Sequence, residues 1–127
     1  MSWSAALLDI DPPRHPEALA DVLPLLERLD AAFGTRAVAR LLGIGASTIS
    51  NWKRGRHAIS GEYAVRIMDL HDVMVRALNV YQPRVAMDWL VGHNAFLNGA
   101  RPIDVLVARG SAPLVDALRA QEAGAYA

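Results

Sequence analysis

Three observations predict an all-α protein. Apolar residues recur at intervals of three and four along most of the 127 residues, the period of a helix buried on one side. Proline stands at the start, and glycine just past the end, of several such stretches, the asymmetry expected of real helices. No apolar–polar alternation of strand type survives for more than a few residues. The predicted order is a helix pair near the N-terminus, one long connecting helix and a C-terminal array of short helices.

Residues 1–16 read as an arm. Pro12, Pro13 and Pro16 lack amide donors and hold the chain extended, so no helix is established before about Glu17. Trp3, Leu7, Leu8 and Ile10 suit either docking on a neighbour or a frayed terminus. Glu17–Phe33 is the first helix, with Leu19, Val22, Leu23, Leu26, Leu29 and Phe33 as its stripe. Pro24 is expected to bend or split it near Val22–Leu23. Gly34 ends it in the left-handed conformation, and Thr35 caps the next helix.

The chain is organised around residues 35–55, TRAVARLLGIGASTISNWKRG. Val38, Ala39 and Leu42 form one stripe, Gly43 supplies a tight turn, and Ile49 and Trp52 face back from a second short helix. Ala39 is small where the second helix passes closely. This spacing is that of a helix-turn-helix, here assigned to residues 17–61, whose second helix enters a major groove. Similar helix pairs occur in ordinary bundles, and local charge separates the two cases. Arg36, Arg40, Lys53, Arg54 and Arg56 are the charged residues between Ala31 and Gly61, with no Asp or Glu among them. The whole chain is neutral, with 13 basic and 13 acidic residues, so this is a concentrated basic patch suited to phosphates. Arg36, Arg40, Arg54 and Arg56 are the candidate phosphate contacts. Ser47, Thr48, Ser50, Asn51 and Lys53 are the candidate base contacts, Asn51 for adenine and Lys53 for guanine. Ile49 and Trp52 are core in either case.

Beyond Gly55, Ser60 or Gly61 starts the longest helix, Glu62–Tyr81, with Glu62 well placed in its first turn. Tyr63, Ile67, Leu70, Met74, Ala77 or Leu78, and Tyr81 make one seam. Val65, Met68, Val73, Val75 and Val80 make a second. Two stripes require two packing partners: the helix-turn-helix on one side, and the C-terminal segment or another subunit on the other. Residues 62–82 are therefore read as a connecting and dimerisation helix. Pro83 stops it. Arg84–Gly92 follows, then a brief turn at 95–97 capped by Asn94 and ended by Asn98-Gly99. Ile103–Arg109 is opened by Pro102 and closed by Gly110. Pro113–Gln121 is capped by Ser111 and closed near Gly124.

Composition removes several functions. There is no cysteine, hence no disulfide framework, thiolate metal site or cysteine nucleophile. His15, His57, His71 and His93 are scattered, with no nucleophile or carboxylate at an informative spacing, so no enzyme, metal or cofactor is expected. His71 lies off the face shared by Asp69 and Asp72. No apolar run approaches the roughly 20 residues of a membrane span. A soluble, cytoplasmic protein is the simplest expectation.

The second half holds Trp89-Leu90, Asn94, Leu97-Asn98-Gly99, Arg101-Pro102-Ile103-Asp104-Val105-Leu106 and a terminal Gly124. Read as WL…N..L.G.RPIDVL…G, residues 83–127 resemble the toxin-binding domain of the MbcA/ParS/Xre antitoxins, in which that domain follows an Xre/Cro-like helix-turn-helix as here. The resemblance covers roughly residues 35–127. It implies an antitoxin of a bacterial type II toxin–antitoxin module, a homodimer within a larger complex. Such an antitoxin blocks a RES-domain, NAD-degrading toxin at its active-site entrance and represses its own operon by binding double-stranded operator DNA. It also places Arg101, Pro102, Asp104 and the tail Gly124-Ala125-Tyr126-Ala127 at or near the toxin. On residue grounds alone, Pro102, Ile103, Val105 and Leu106 read as helix start and core. Arg101 and Asp104 suit either a contact or the capping of that helix, and Tyr126 either a plug anchor or a frayed end. The competing reading is a stand-alone helix-turn-helix regulator whose C-terminal half dimerises or senses a ligand.

Overall fold

The computed structural model describes residues 22–124. The expected proline arm, the start of the first helix, and Ala125, Tyr126 and Ala127 lie outside the described residues. Seven α-helices and one 3-10 turn follow one another, with no strand among the described residues. They are α1 (Val22–Phe33), α2 (Thr35–Leu42), α3 (Ala46–Lys53), α4 (Gly61–Leu78), α5 (Pro83–Val91), the turn Ala95–Leu97, α6 (Pro102–Arg109) and α7 (Ala112–Gly124). The all-α architecture is as predicted.

Local chemistry sets most boundaries. Gly43 sits at φ 72° and ψ 32°, closing α2 with paired bonds from its own amide to Arg40 and from Ile44 to Ala39. Ser60 caps α4 by accepting from the Tyr63 amide at 3.4 Å. Pro83 and Pro102 occupy the first turns of α5 and α6, where a missing amide costs nothing. Asn94 accepts from the Phe96 amide at 2.9 Å, and Asn98 turns the chain at φ 59°.

Several expectations need correction. Pro24 lies in the first described turn of α1, and the bend or split expected near Val22–Leu23 falls at the edge of the described residues. Gly34 has positive φ (89°) but ψ of 150°, outside the left-handed helical region, and it is Gly34 rather than Thr35 that stands at the N-cap of α2. The Thr35 hydroxyl instead donates to Asp30. The long helix stops at Leu78, where the Asn79 and Val80 amides bond back only three residues, to Arg76 and Ala77. Gly124 is helical and is the last described residue, so the rest of the expected tail, residues 125–127, lies outside the described residues.

Helix α4 is the spine. It packs on α1 and α2 of the N-terminal part and on α5, α6 and α7 of the C-terminal part. Ile67, Leu70, Val73, Met74 and Ala77 are fully buried in a single apolar cluster that takes in residues from all seven helices. Each such large side chain contributes roughly 1.5–3 kcal/mol by leaving water. The C-terminal segment thus supplies the second partner that two stripes required. That second stripe divides, however: Val73 is buried while Val65, Met68 and Val75 remain 46–49% exposed.

Candidate nucleic-acid interface

The recognition helix α3 is held by two side chains. Ile49 and Trp52, one turn apart, are its buried residues. The Trp52 indole meets the Tyr63 ring of α4 with centroids 5.6 Å apart, and the Arg66 guanidinium lies 5.1 Å from the centre of that same ring. With that edge fixed, residues at i, i+3, i+4 and i+7 from Ser47 form the opposite face. They are Ser47, Ser50, Asn51 and Arg54: the serines and arginine exposed, Asn51 half-buried. Thr48 flanks this face and is also half-buried. The outward surface is therefore small, polar and uncharged until Arg54.

The arginines come from α2 and from the turn after α3. Arg36 and Arg40 project from α2 one turn apart, exposed. Arg54 and Arg56 follow α3 where the chain turns away at Gly55. Gly55 has φ 73°, and the Arg56 amide bonds back to the Asn51 carbonyl at 2.9 Å, so the turn brings Arg56 close behind the helix end. Among the described residues, no ion pair engages Arg36, Arg40, Arg54 or Arg56.

Lys53 differs. It is four residues from Ile49 and so shares the inward edge of α3, next to α1. Its ammonium lies 2.6 Å from Asp30 Oδ2, with side chains 35% and 12% exposed. The Asp30 carboxylate accepts from Lys53 and from the Thr35 hydroxyl, and these bonds hold its pKa below the ordinary carboxylate value. The expected guanine contact is thus engaged within the protein. Asp30 escaped the sequence reading because it lies 23 residues from its partner and just outside the acid-free segment.

The C-terminal candidates lie elsewhere. Pro102, Ile103, Val105 and Leu106 are buried, whereas Arg101 and Asp104 are exposed. These two form a two-pronged pair across the start of α6, Nε to Oδ2 at 2.8 Å and Nη2 to Oδ1 at 3.0 Å. Each shifts the other: the bond raises the Arg101 pKa and lowers that of Asp104. His93 Nδ1 donates to the Gly99 carbonyl at 2.7 Å, which ties the preceding loop together. A groove of about 470 Å³ separates α2 from α5 and α6, and Arg40, Arg66 and Arg101 share its wall with Leu41, Met87 and Ile103. Arg40 therefore borders both the α2 surface and this groove. No helix of the described residues is long and apolar enough to cross a membrane.

Two short helices, a glycine turn, a polar outward face and flanking arginines define a helix-turn-helix of the DNA-binding class. Residues 26–73, from within α1 to within α4, match the helix-turn-helix family and carry an Xre-type domain. The match spans less than half of the 127 residues and ends before α5. No curated protein and no solved structure matches the chain. The domain supports a DNA-binding regulator.

Proposed function

We propose that the chain is a cytoplasmic, non-catalytic antitoxin that represses its own operon through the helix-turn-helix and neutralises a RES-domain, NAD-degrading toxin through its C-terminal half. The observation that carries the DNA-binding part is the face of Ser47, Ser50, Asn51 and Arg54, opposite Ile49 and Trp52, together with the exposed Arg36 and Arg40 of the preceding helix. Arginines contact phosphates and set register, while Ser47, Thr48, Ser50 and Asn51 reach base edges. A dimer places two recognition helices on two half-sites, and the exposed Val65, Met68 and Val75 of α4 are available for it.

The antitoxin part rests on the resemblance of residues 83–127. Its polar motif members Arg101 and Asp104 are exposed while the apolar ones are buried, which leaves the polar ones available to a partner. Gly124, in the last described turn of α7, and Ala125, Tyr126 and Ala127 after it would then occupy the entrance of the toxin's active site. The test is NAD consumption by the protein encoded beside this chain. Rapid loss that stops on near-stoichiometric addition of this chain supports the reading, and persistence of NAD loss overturns it.

The groove between α2, α5 and α6 favours a second reading, a stand-alone regulator that senses a small ligand, since its volume falls within the range of ligand pockets. Such a regulator needs no companion protein, and it keeps all of its activity when residues 124–127 are removed.

A further inference from the structure

We propose that Asp30 is a specificity-determining positioning residue: it withholds Lys53 from DNA, leaving the recognition helix a neutral reading face. This rests on the DNA-binding reading above. Lys53 is the sole charged residue of α3, ASTISNWK, and so the one side chain of that helix able to neutralise a phosphate once released. Its ammonium is instead 2.6 Å from a carboxylate whose side chain is only 12% exposed. That carboxylate also takes the Thr35 hydroxyl at the start of α2. One acidic side chain thereby joins three helices of the domain.

Electrostatics argue that the pair persists on DNA. Moving Lys53 to a phosphate would leave the half-buried Asp30 carboxylate beside a polyanion, with only the Thr35 hydroxyl left to satisfy it. Phosphate neutralisation then falls to the arginines of α2 and of the turn after α3. Each cation kept off the backbone removes sequence-independent affinity, which raises the share of binding that depends on base contacts.

The experiment titrates the full chain with two duplexes of about 20 bp, one mixed-sequence and one from upstream of its own coding sequence. Salt is varied from roughly 50 to 200 mM, and the slope of log K against log salt is read. Lys53→Gln is expected to leave the wild-type slope unchanged. Asp30→Asn is expected to steepen it by about 0.9 per bound protomer, because a freed lysine gains one phosphate. The gain should vanish in the double variant, a result that mere loosening of the helix packing would not produce. A shallower slope for Lys53→Gln overturns the proposal even if Asp30→Asn fails to fold, since Lys53 would then already touch phosphate. An unchanged slope for folded Asp30→Asn overturns it too. If the wild type binds neither duplex, the DNA-binding reading fails as a whole; if it binds with a salt-dependent slope, only the assignment of Asp30 is at stake.

Discussion

Trp52 of the recognition helix and Tyr63 of the long helix meet ring against ring, with centroids 5.6 Å apart and planes inclined at 52°. This contact fixes the orientation of α3. Apart from Ile49, Trp52 is the only buried residue that α3 contributes. Tyr63 is itself steadied, since Arg66 sits over its ring and is paired with Glu62 at 3.1 Å. The aim of the reading face thus depends on side chains that touch no DNA in any reading.

Trp52→Ala is expected to cost about 3–5 kcal/mol in urea unfolding, as large core truncations do. Tyr63→Leu keeps the apolar volume and should cost much less. A double-mutant cycle between the two should return a coupling of roughly 0.5–1.5 kcal/mol, the worth of an inclined aromatic pair beyond its buried area. Zero coupling would show that the rings merely share a core.

The arginines and the polar face should separate in a binding assay. Arg36→Gln or Arg54→Gln is expected to weaken binding to all duplexes alike and to lower the salt slope by about 0.9 for each phosphate no longer neutralised. Asn51→Ala should leave that slope alone and cost about 1–3 kcal/mol of discrimination between preferred and altered duplexes. Anisotropy titrations on matched duplexes distinguish the two. An Asn51 variant that binds every duplex as the wild type does would remove it from the base-reading set.

Acid should loosen the same domain through Asp30. Its carboxyl, ordinarily titrating near 3.8, is held lower by the Lys53 bond first and the Thr35 bond second. A carboxylate with a depressed folded-state pKa stabilises the fold above its unfolded value. That contribution is lost as pH falls through the folded value. Urea midpoints are therefore expected to fall below about pH 4, and part of that fall should disappear in Lys53→Gln. The pair itself is worth on the order of 1 kcal/mol or less, the scale of a partly exposed ion pair. Equal acid sensitivity in both proteins would show that other groups govern it.

Asp30 also marks the boundary of what could be read from the chain alone. The turn at Gly43, the exit at Gly55, the cap at Ser60 and the proline starts at Pro83 and Pro102 are local events, each decided by neighbours within about five residues. All were legible, as were Ile49 and Trp52 as core. Long-range competition was not. Asp30 drew Thr35 away from its expected cap and Lys53 away from the reading face, and neither follows from a local pattern. The second stripe of α4 failed for a related reason. Its five residues do not share one direction, so Val73 entered the core while Val65, Met68 and Val75 stayed outside. A helix end set by weak signals also moved, as at Leu78.

The C-terminal motif mixes core and surface residues, and substitution should pull the two roles apart. Leu106 is 3% exposed, and Leu106→Ala is expected to cost about 2–5 kcal/mol and to lower every activity together through loss of fold. Arg101 is exposed and paired with the still more exposed Asp104, so Arg101→Glu should leave the urea midpoint where it is. If the start of α6 faces the toxin, the same change should weaken neutralisation by at least about tenfold, the scale of an interface arginine worth about 1.4 kcal/mol or more. The measurement is the concentration of chain that halts NAD loss, with circular dichroism as the control for fold. A well-folded Arg101→Glu that protects NAD as well as the wild type would take α6 out of the interface. Neutralisation would then have to run through other surfaces, the end of α7 and residues 125–127 first among them.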